Sequence, residues 1–420
     1  MDVVAFLAGS GAIAASAGLG AACLRLRSVW SFALAWYVLA FAEVLALCLV
    51  LSLGGMLGRP GLLVGAALLS CGSAWLWRRS GSPRPPTPAL CRDARRTGPG
   101  PLVLLAGAVA FALAYVAALA LGTPPSGWDQ LTYHLARAAF WLQAGRVGYI
   151  GDAYDERLNY NPPGAEMAFA FVLALGRSER LPALVQLVAA LACAGGVYGL
   201  ARLLGLSRRE AAFGALAFLA TPIVLLQAAT PKNDLVVASF LVAAALFLLS
   251  GAKAELVLAG IATALAVTTK VTAAYGIAVL LALAIVASPH SARKRRVATL
   301  ALGTALGSGW YVINLAETGR LGGDQSQFPG MSAVGEPAAN LLAASGLLLD
   351  LADAPGAEGA DVAVYPLAAL LVAGLLLARS VRRPAFSRER EAPFVPLLVA
   401  ASPFAALAAS ELGWPAFLSL

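Results

Sequence analysis

The sequence predicts an all-α protein: a polytopic bundle of about twelve membrane-spanning helices. Composition is the first reason. Sixty per cent of the 420 residues are hydrophobic and 12% are charged, with mean hydropathy +0.79, whereas soluble domains carry roughly a quarter charged residues. Patterning is the second, because the apolar residues fall into runs of about 15–24, the length that crosses a ~30 Å hydrocarbon core. The third is an uneven spread of basic residues between those runs, which orients the bundle.

The runs are 2–23, 30–53, 61–78, 101–121, 182–204, 211–229, 234–251, 255–269, 271–287, 297–314, 366–379 and 393–410. The first starts Met1-Asp2, with no basic leader and no small-residue cleavage site, so it reads as a spanning helix and not a removable signal peptide. Residues 1–77 form an N-terminal three-span unit whose main polar feature is Glu43, expected as a buried, protonated or hydrogen-bonded carboxyl. Residues 78–100 are a Pro-, Gly- and Arg-rich linker, expected to be irregular and cytoplasmic. A core over 101–325 and a C-terminal part, 326–420, follow.

Alternating loops hold Lys and Arg in a ratio of 21 to 9. The richer set includes Arg78, Arg79, Arg208, Arg209 and Arg293–Arg296, and the positive-inside rule makes it cytoplasmic. Both termini and the long loops 122–181 and 315–365 then face outward. The net charge of +8 is read as topology signal and anionic-lipid contact, and nucleic acid is not expected as a partner. Arg outnumbers Lys 26 to 4, which with the Ala and Gly content points to a GC-rich bacterial gene and a bacterial inner membrane. Cys23, Cys48, Cys71 and Cys193 lie in or beside spans and Cys91 in a cytoplasmic loop, so no disulfide framework is implied. Two histidines, His134 and His290, rule out a multi-His zinc site.

Within loop 122–181, residues 128–145 place Leu131, Leu135, Ala138, Ala139 and Leu142 at helical spacing, with Gly145 as the stop. An amphipathic helix on the outer surface is expected, with Trp141 and Tyr149 at the membrane–water interface. Residues 164–176 are apolar but too short to span, hence a second interfacial or re-entrant helix.

Ionisable groups near a bilayer are costly and need a reason. Asp129 opens the surface helix, with Tyr133 and His134 one turn on. It is either a helix-initiating carboxylate or a general base or metal ligand. Asp234 opens a span from outside, where it or Asn233 would cap the helix. Lys270 sits in the outer turn 268–272, as a snorkelling lysine or as a cation that holds a phosphate. Arg137, Arg157 and Lys232 are alternative phosphate partners.

The run WDQLTYHLARAAFWLQAG at 128–145 resembles the first outer loop of the GT-C superfamily of integral-membrane glycosyltransferases, which includes protein O-mannosyltransferases and lipid A aminoarabinose transferases. Further matches follow in order: Asn161-Pro-Pro-Gly-Ala-Glu166, Arg180-Leu-Pro182, Lys232-Asn-Asp-Leu235, Thr269-Lys270 and Gly309-Trp-Tyr-Val-Ile-Asn314 with Gly319. They span roughly 100–325, each short and weak alone.

The resemblance implies a GT-C-like fold and a hexosyltransferase that takes a sugar from a polyprenyl-phosphate donor. It would pass that sugar to a hydroxyl-bearing acceptor (protein, glycan, lipid or small molecule) at the outer face, with inversion. Asp129 is then the base, Lys270 with Arg137 or Lys232 the donor-phosphate cations, and Tyr133, His134 and Asp234 the substrate pocket. Where many relatives have two adjacent acids, Gln130 follows Asp129 here, so metal-independent chemistry is expected. Ile313 replaces a familiar arginine. The segment 413–418 resembles one after which relatives continue, which leaves truncation or a shifted frame as an expectation for that end. Two competing readings are a transporter or flippase of a lipid-linked sugar or small solute, and a non-catalytic envelope-assembly protein. Transporters place their ionisable groups near the midplane, whereas here they gather on one face.

Overall fold

The computed structural model describes residues 1–86, 101–286 and 288–324. The expected spans 366–379 and 393–410, Cys91, most of the linker 78–100, nearly all of loop 315–365 and the terminal 413–418 motif lie outside the described residues. Among those described, the protein is all helical.

The order is α1 (Val3–Cys23), α2 (Val29–Leu53), α3 (Arg59–Arg79) and α4 (Pro101–Gly122). A π-turn (Gln130–His134) then leads into α5 (Leu135–Ala144), α6 (Arg157–Tyr160) and α7 (Gly164–Gly176). The remainder is α8 (Ala183–Leu203), α9 (Arg208–Leu219), α10 (Pro222–Ala228), α11 (Asp234–Ser250), α12 (Lys253–Thr269), α13 (Ala273–Val286), α14 (His290–Gly307) and α15 (Gly309–Thr318).

Five of these, α1, α2, α3, α4 and α8, are long and apolar enough to cross a membrane. Their apolar faces are largely uncovered by protein: Leu68 is 67% exposed on α3 and Leu104 67% on α4. Such contiguous apolar surface requires lipid around it. Of the twelve expected spans, 366–379 and 393–410 lie outside the described residues. The run 211–229 is broken, because α9 and α10 meet at 63°. Pro222 offers no N–H to continue the ladder and forces Thr221 into an extended conformation (ψ 128°). Helices α11 and α12, with 17 residues each, stand at the lower limit of crossing length, and α13 has 14. The run 297–314 straddles the junction of α14 and α15 at Ser308.

The helix ends sort as the loop alternation predicts. At one end, Asp2 N–H donates to Gly176 O (2.7 Å), Leu57 N–H to Gly145 O (2.9 Å), Ser52 Oγ to Val147 O (3.3 Å) and Asn233 Nδ2 to Thr269 O (3.4 Å). At the other, Arg25 donates to Ser80 O (2.9 Å), and Arg296 to Ser288 Oγ (2.7 Å) and Leu249 O (3.1 Å). Basic linkers therefore gather at one end, and loop 123–182 with the α11 and α12 termini at the other. Residues 1–77 pack closely on the rest: Tyr37 and Ser239 share a hydrogen bond (2.8 Å), and Cys48 Sγ donates to Met167 O (3.6 Å).

Loop 123–182 departs from its expected form in three ways. The π-turn adds a residue just after Asp129 and rotates the face that follows, so Leu131 is 49% exposed while Gln130, Tyr133, His134 and Arg137 are buried. Trp141, expected at the interface, is 1% exposed and donates from Nε1 to Gly148 O (2.8 Å). Gly145 does end α5, in the left-handed conformation (φ 69°). Lastly, α7 does not lie on a surface: all its residues except Leu173 and Ala174 are buried, and it packs on α1, α2, α3, α5 and α12.

The N-terminus of α7 meets the end of α12 at Gly164, where a Cβ would lie 2.8 Å from Thr269 Oγ1 and 3.0 Å from Thr268 O. Backbone on the far side cannot yield cheaply. Gly164→Val is expected to cost about 1–3 kcal/mol through overpacking, read as a lower unfolding temperature in detergent; an unchanged temperature would show that the two elements separate freely.

Candidate active site

Two polar clusters flank Tyr133. The first centres on Arg157, the opening residue of the one-turn helix α6. Its Nη1 donates to Asp129 Oδ1 (2.6 Å), its Nη2 to Asp155 Oδ2 (2.7 Å) and to Thr132 Oγ1 (3.1 Å), and its Nε to Asp155 Oδ1 (3.0 Å). Asp155 Oδ1 also accepts the Arg157 backbone N–H (2.9 Å). The guanidinium lies over the Tyr133 ring, 4.9 Å from its centroid. Burial works against the charge of Arg157, but Asp155 and Asp129 outweigh it and hold its pKa above the ordinary arginine value.

Asp129 stands at the start of the helix, as the sequence allows, but does not cap it through its side chain. Its carboxylate faces Arg157.

The second cluster joins three chain segments. Lys270, extended just past α12, donates from Nζ to Asp234 Oδ1 (2.5 Å) at the start of α11. Neither Asn233 nor Asp234 caps α11 through its side chain, contrary to expectation. Instead the Asn233 amide reaches Thr269 O, and its buried Oδ1 has no partner. Lys232 and His134 both act electrostatically on Asp234.

Tyr133 and His134 link the clusters, with ring centroids 4.0 Å apart. The Tyr133 phenol is buried and feels the charges of Asp129, Glu166 and Asp234. Burial foremost, and then those carboxylates, push its pKa well above the ordinary tyrosine value. His134 Nδ1 lies 2.6 Å from Glu166 Oε1, with side chains 1% and 0% exposed, and Glu166 Oε2 has no partner. Glu166 orients the His134 ring through this contact at Nδ1. Five of the residues singled out from sequence are thus brought together: Asp129, Tyr133, His134, Asp234 and Lys270, with Lys232 beside them.

Arg137 is not brought to that group through its guanidinium, contrary to the expected phosphate role. It is fully buried, 4.8 Å from the ring centroids of both Trp141 and Trp310, and donates to Asn161 O (2.7 Å) and Asn159 O (3.2 Å). Burial pushes its pKa down to about 10, with the Glu166 charge opposing. Trp310 Nε1 also donates to Asn159 O (2.7 Å), and Asn314 Nδ2 to Tyr160 O (2.9 Å). Arg137, Trp310 and Asn314 therefore clamp the backbone of segment 159–161, immediately behind Arg157.

Two members were missed from sequence. Asp155 stands two residues from Arg157, a proximity that could have suggested the pair. Glu166 carries no comparable signal, since its partner is 32 positions away.

Residues 160–308 match the family model described as dolichyl-phosphate-mannose-protein mannosyltransferase. The matched segment is of the GT-C glycosyltransferase type. This GT-C segment carries Glu166, Lys232, Asp234 and Lys270, whereas Asp129, Tyr133, His134, Asp155 and Arg157 precede it. No curated protein and no solved structure matches the chain. The match covers about a third of the chain, and that segment is what is similar to a membrane glycosyltransferase of GT-C type.

Proposed function

We propose that the protein transfers a sugar from a polyprenyl-phosphate donor to a hydroxyl-bearing acceptor, at the extracytoplasmic face of a bacterial inner membrane. Asp129 takes the acceptor's hydroxyl proton, and the acceptor oxygen bonds to the anomeric carbon from the side opposite the phosphate. The bond from that carbon to the phosphate oxygen breaks, its electron pair leaves with the polyprenyl phosphate, and the anomeric configuration inverts. A phosphate leaving group needs cations and no second acid, and Lys270 and Lys232 supply them. Tyr133, His134 and Asp234 border the sugar, and the reaction is metal-independent.

The observation that carries this reading is the convergence of Asp129, Asp234 and Lys270, from three separate connections, around one buried tyrosine at the loop-rich end of the bundle. A membrane-embedded donor presents its phosphate at that level. The test incubates purified full-length protein with a panel of polyprenyl-phosphate hexoses and a mixed acceptor extract, following release of polyprenyl phosphate and the anomeric configuration of the product. Transfer with inversion is expected; transfer only from nucleotide sugars, or retention, would overturn it.

A further inference from the structure

Arg157 holds the carboxylate assigned as base, and the way it does so points to a device. We propose that Arg157 is a donor-operated latch: it engages Asp129 in the empty site and gives its Nη1 to the donor's phosphate, which frees Asp129 to act. This rests on the proposed polyprenyl-phosphate chemistry and adds an assignment for Arg157 and Asp155.

The geometry divides the guanidinium into two edges. Asp155 takes the Nε and Nη2 edge, at 3.0 and 2.7 Å, and anchors the same residue's backbone N–H at 2.9 Å. Asp129 accepts from Nη1, through one bond of 2.6 Å. Tyr133 lies under the guanidinium, and Arg137 with Trp310 clamps Asn159 O two residues on. The arginine is therefore fixed at its stem and one edge, while the Asp129 contact is the bond that can be exchanged without moving the rest.

Chemistry favours the exchange. While Asp129 Oδ1 accepts from Arg157 Nη1, that lone pair is engaged and is not open to an acceptor's hydroxyl proton. Asp129 and Asp155 share the one guanidinium of Arg157, so an incoming phosphate competes with Asp129 for the same N–H donor. As the sugar–phosphate bond breaks, the phosphate gains a further negative charge, which strengthens its claim on Nη1 in the transition state. The base is thereby released only when a donor occupies the site. Asp155 is a positioning residue that keeps Arg157 in place during the exchange.

The test uses undecaprenyl monophosphate in detergent micelles as the probe and measures its equilibrium binding to the full-length protein. Arg157→Ala is expected to weaken binding about 10–100-fold, the loss of a charge-assisted hydrogen bond. Asp129→Asn replaces the charged competitor with a weaker, neutral acceptor and is expected to tighten binding, by about fivefold or more. In the Arg157→Ala background, Asp129→Asn is expected to change nothing. Equal tightening in both backgrounds would mean general repulsion and overturn the latch, as would wild-type affinity in Arg157→Ala. Where Arg157→Ala does not fold, as judged by thermal unfolding, Arg157→Lys serves: it keeps the charge but loses the fork, and should abolish the tightening. Wild-type protein that binds no probe would overturn the donor class itself, and the latch with it.

Discussion

Asp129→Asn is expected to lower sugar transfer by about 10²–10⁴-fold, the range a positioned general base contributes. The substitution keeps the size of the side chain and its capacity to accept from Arg157 Nη1, a bond of 2.6 Å in the wild type, but removes the ability to take a proton. Its effect should fall on kcat, because the interaction lost is one made as the acceptor's proton leaves. Folding should survive. The carboxylate is one of two held by Arg157, and Asp155 keeps the arginine paired. The measurement is transfer in detergent or liposomes beside a thermal unfolding curve. A variant that folds and transfers at the wild-type rate would remove Asp129 as base.

Lys270→Ala is expected to reduce kcat/KM by about 10²–10³-fold, the loss typical of removing one preorganised electrostatic donor from developing negative charge. Its cost in stability should be far smaller. The Lys270 and Asp234 side chains are 28% and 42% exposed, and partly solvated ion pairs contribute only about 0–1 kcal/mol. This mismatch between a large rate effect and a small stability effect separates a site lysine from a structural one. Lys270→Arg should recover part of the rate, since it keeps the charge but changes its reach. Loss of unfolding temperature in proportion to activity would instead make the Asp234 pair structural, and the phosphate assignment would fall.

Some of this site was readable along the chain, and some was not. Asp129, Asp234 and Lys270 stood out because each is an ionisable residue beside an apolar run, where hydration is hard to keep. Arg137 stood out for the same reason and went elsewhere. Its guanidinium found Trp141 on the next turn and Trp310 from a remote helix, and no local pattern predicts a partner 173 positions away. The π-turn was invisible too. A helical wheel with 3.6 residues per turn points Leu131 inward, while the extra residue at 130–134 turns Tyr133 and His134 to the core instead. Glu166, buried in α7 against His134, is the clearest case: within an apolar helix it reads as a helix-start acid, and only packing gives it a histidine.

What the sequence determined by itself is the membrane class, the alternation of the loops and the end of the bundle at which the ionisable residues collect. Those properties follow from transfer free energies and charge placement, which add up residue by residue along the chain. Tertiary structure decided which acid meets which base: Arg157 with Asp129 and Asp155, Lys270 with Asp234, Glu166 with His134. It also decided that the run 211–229 is two helices that meet at 63°. Those choices depend on contacts between residues far apart in sequence, and a buried charge is stable only where such a partner arrives.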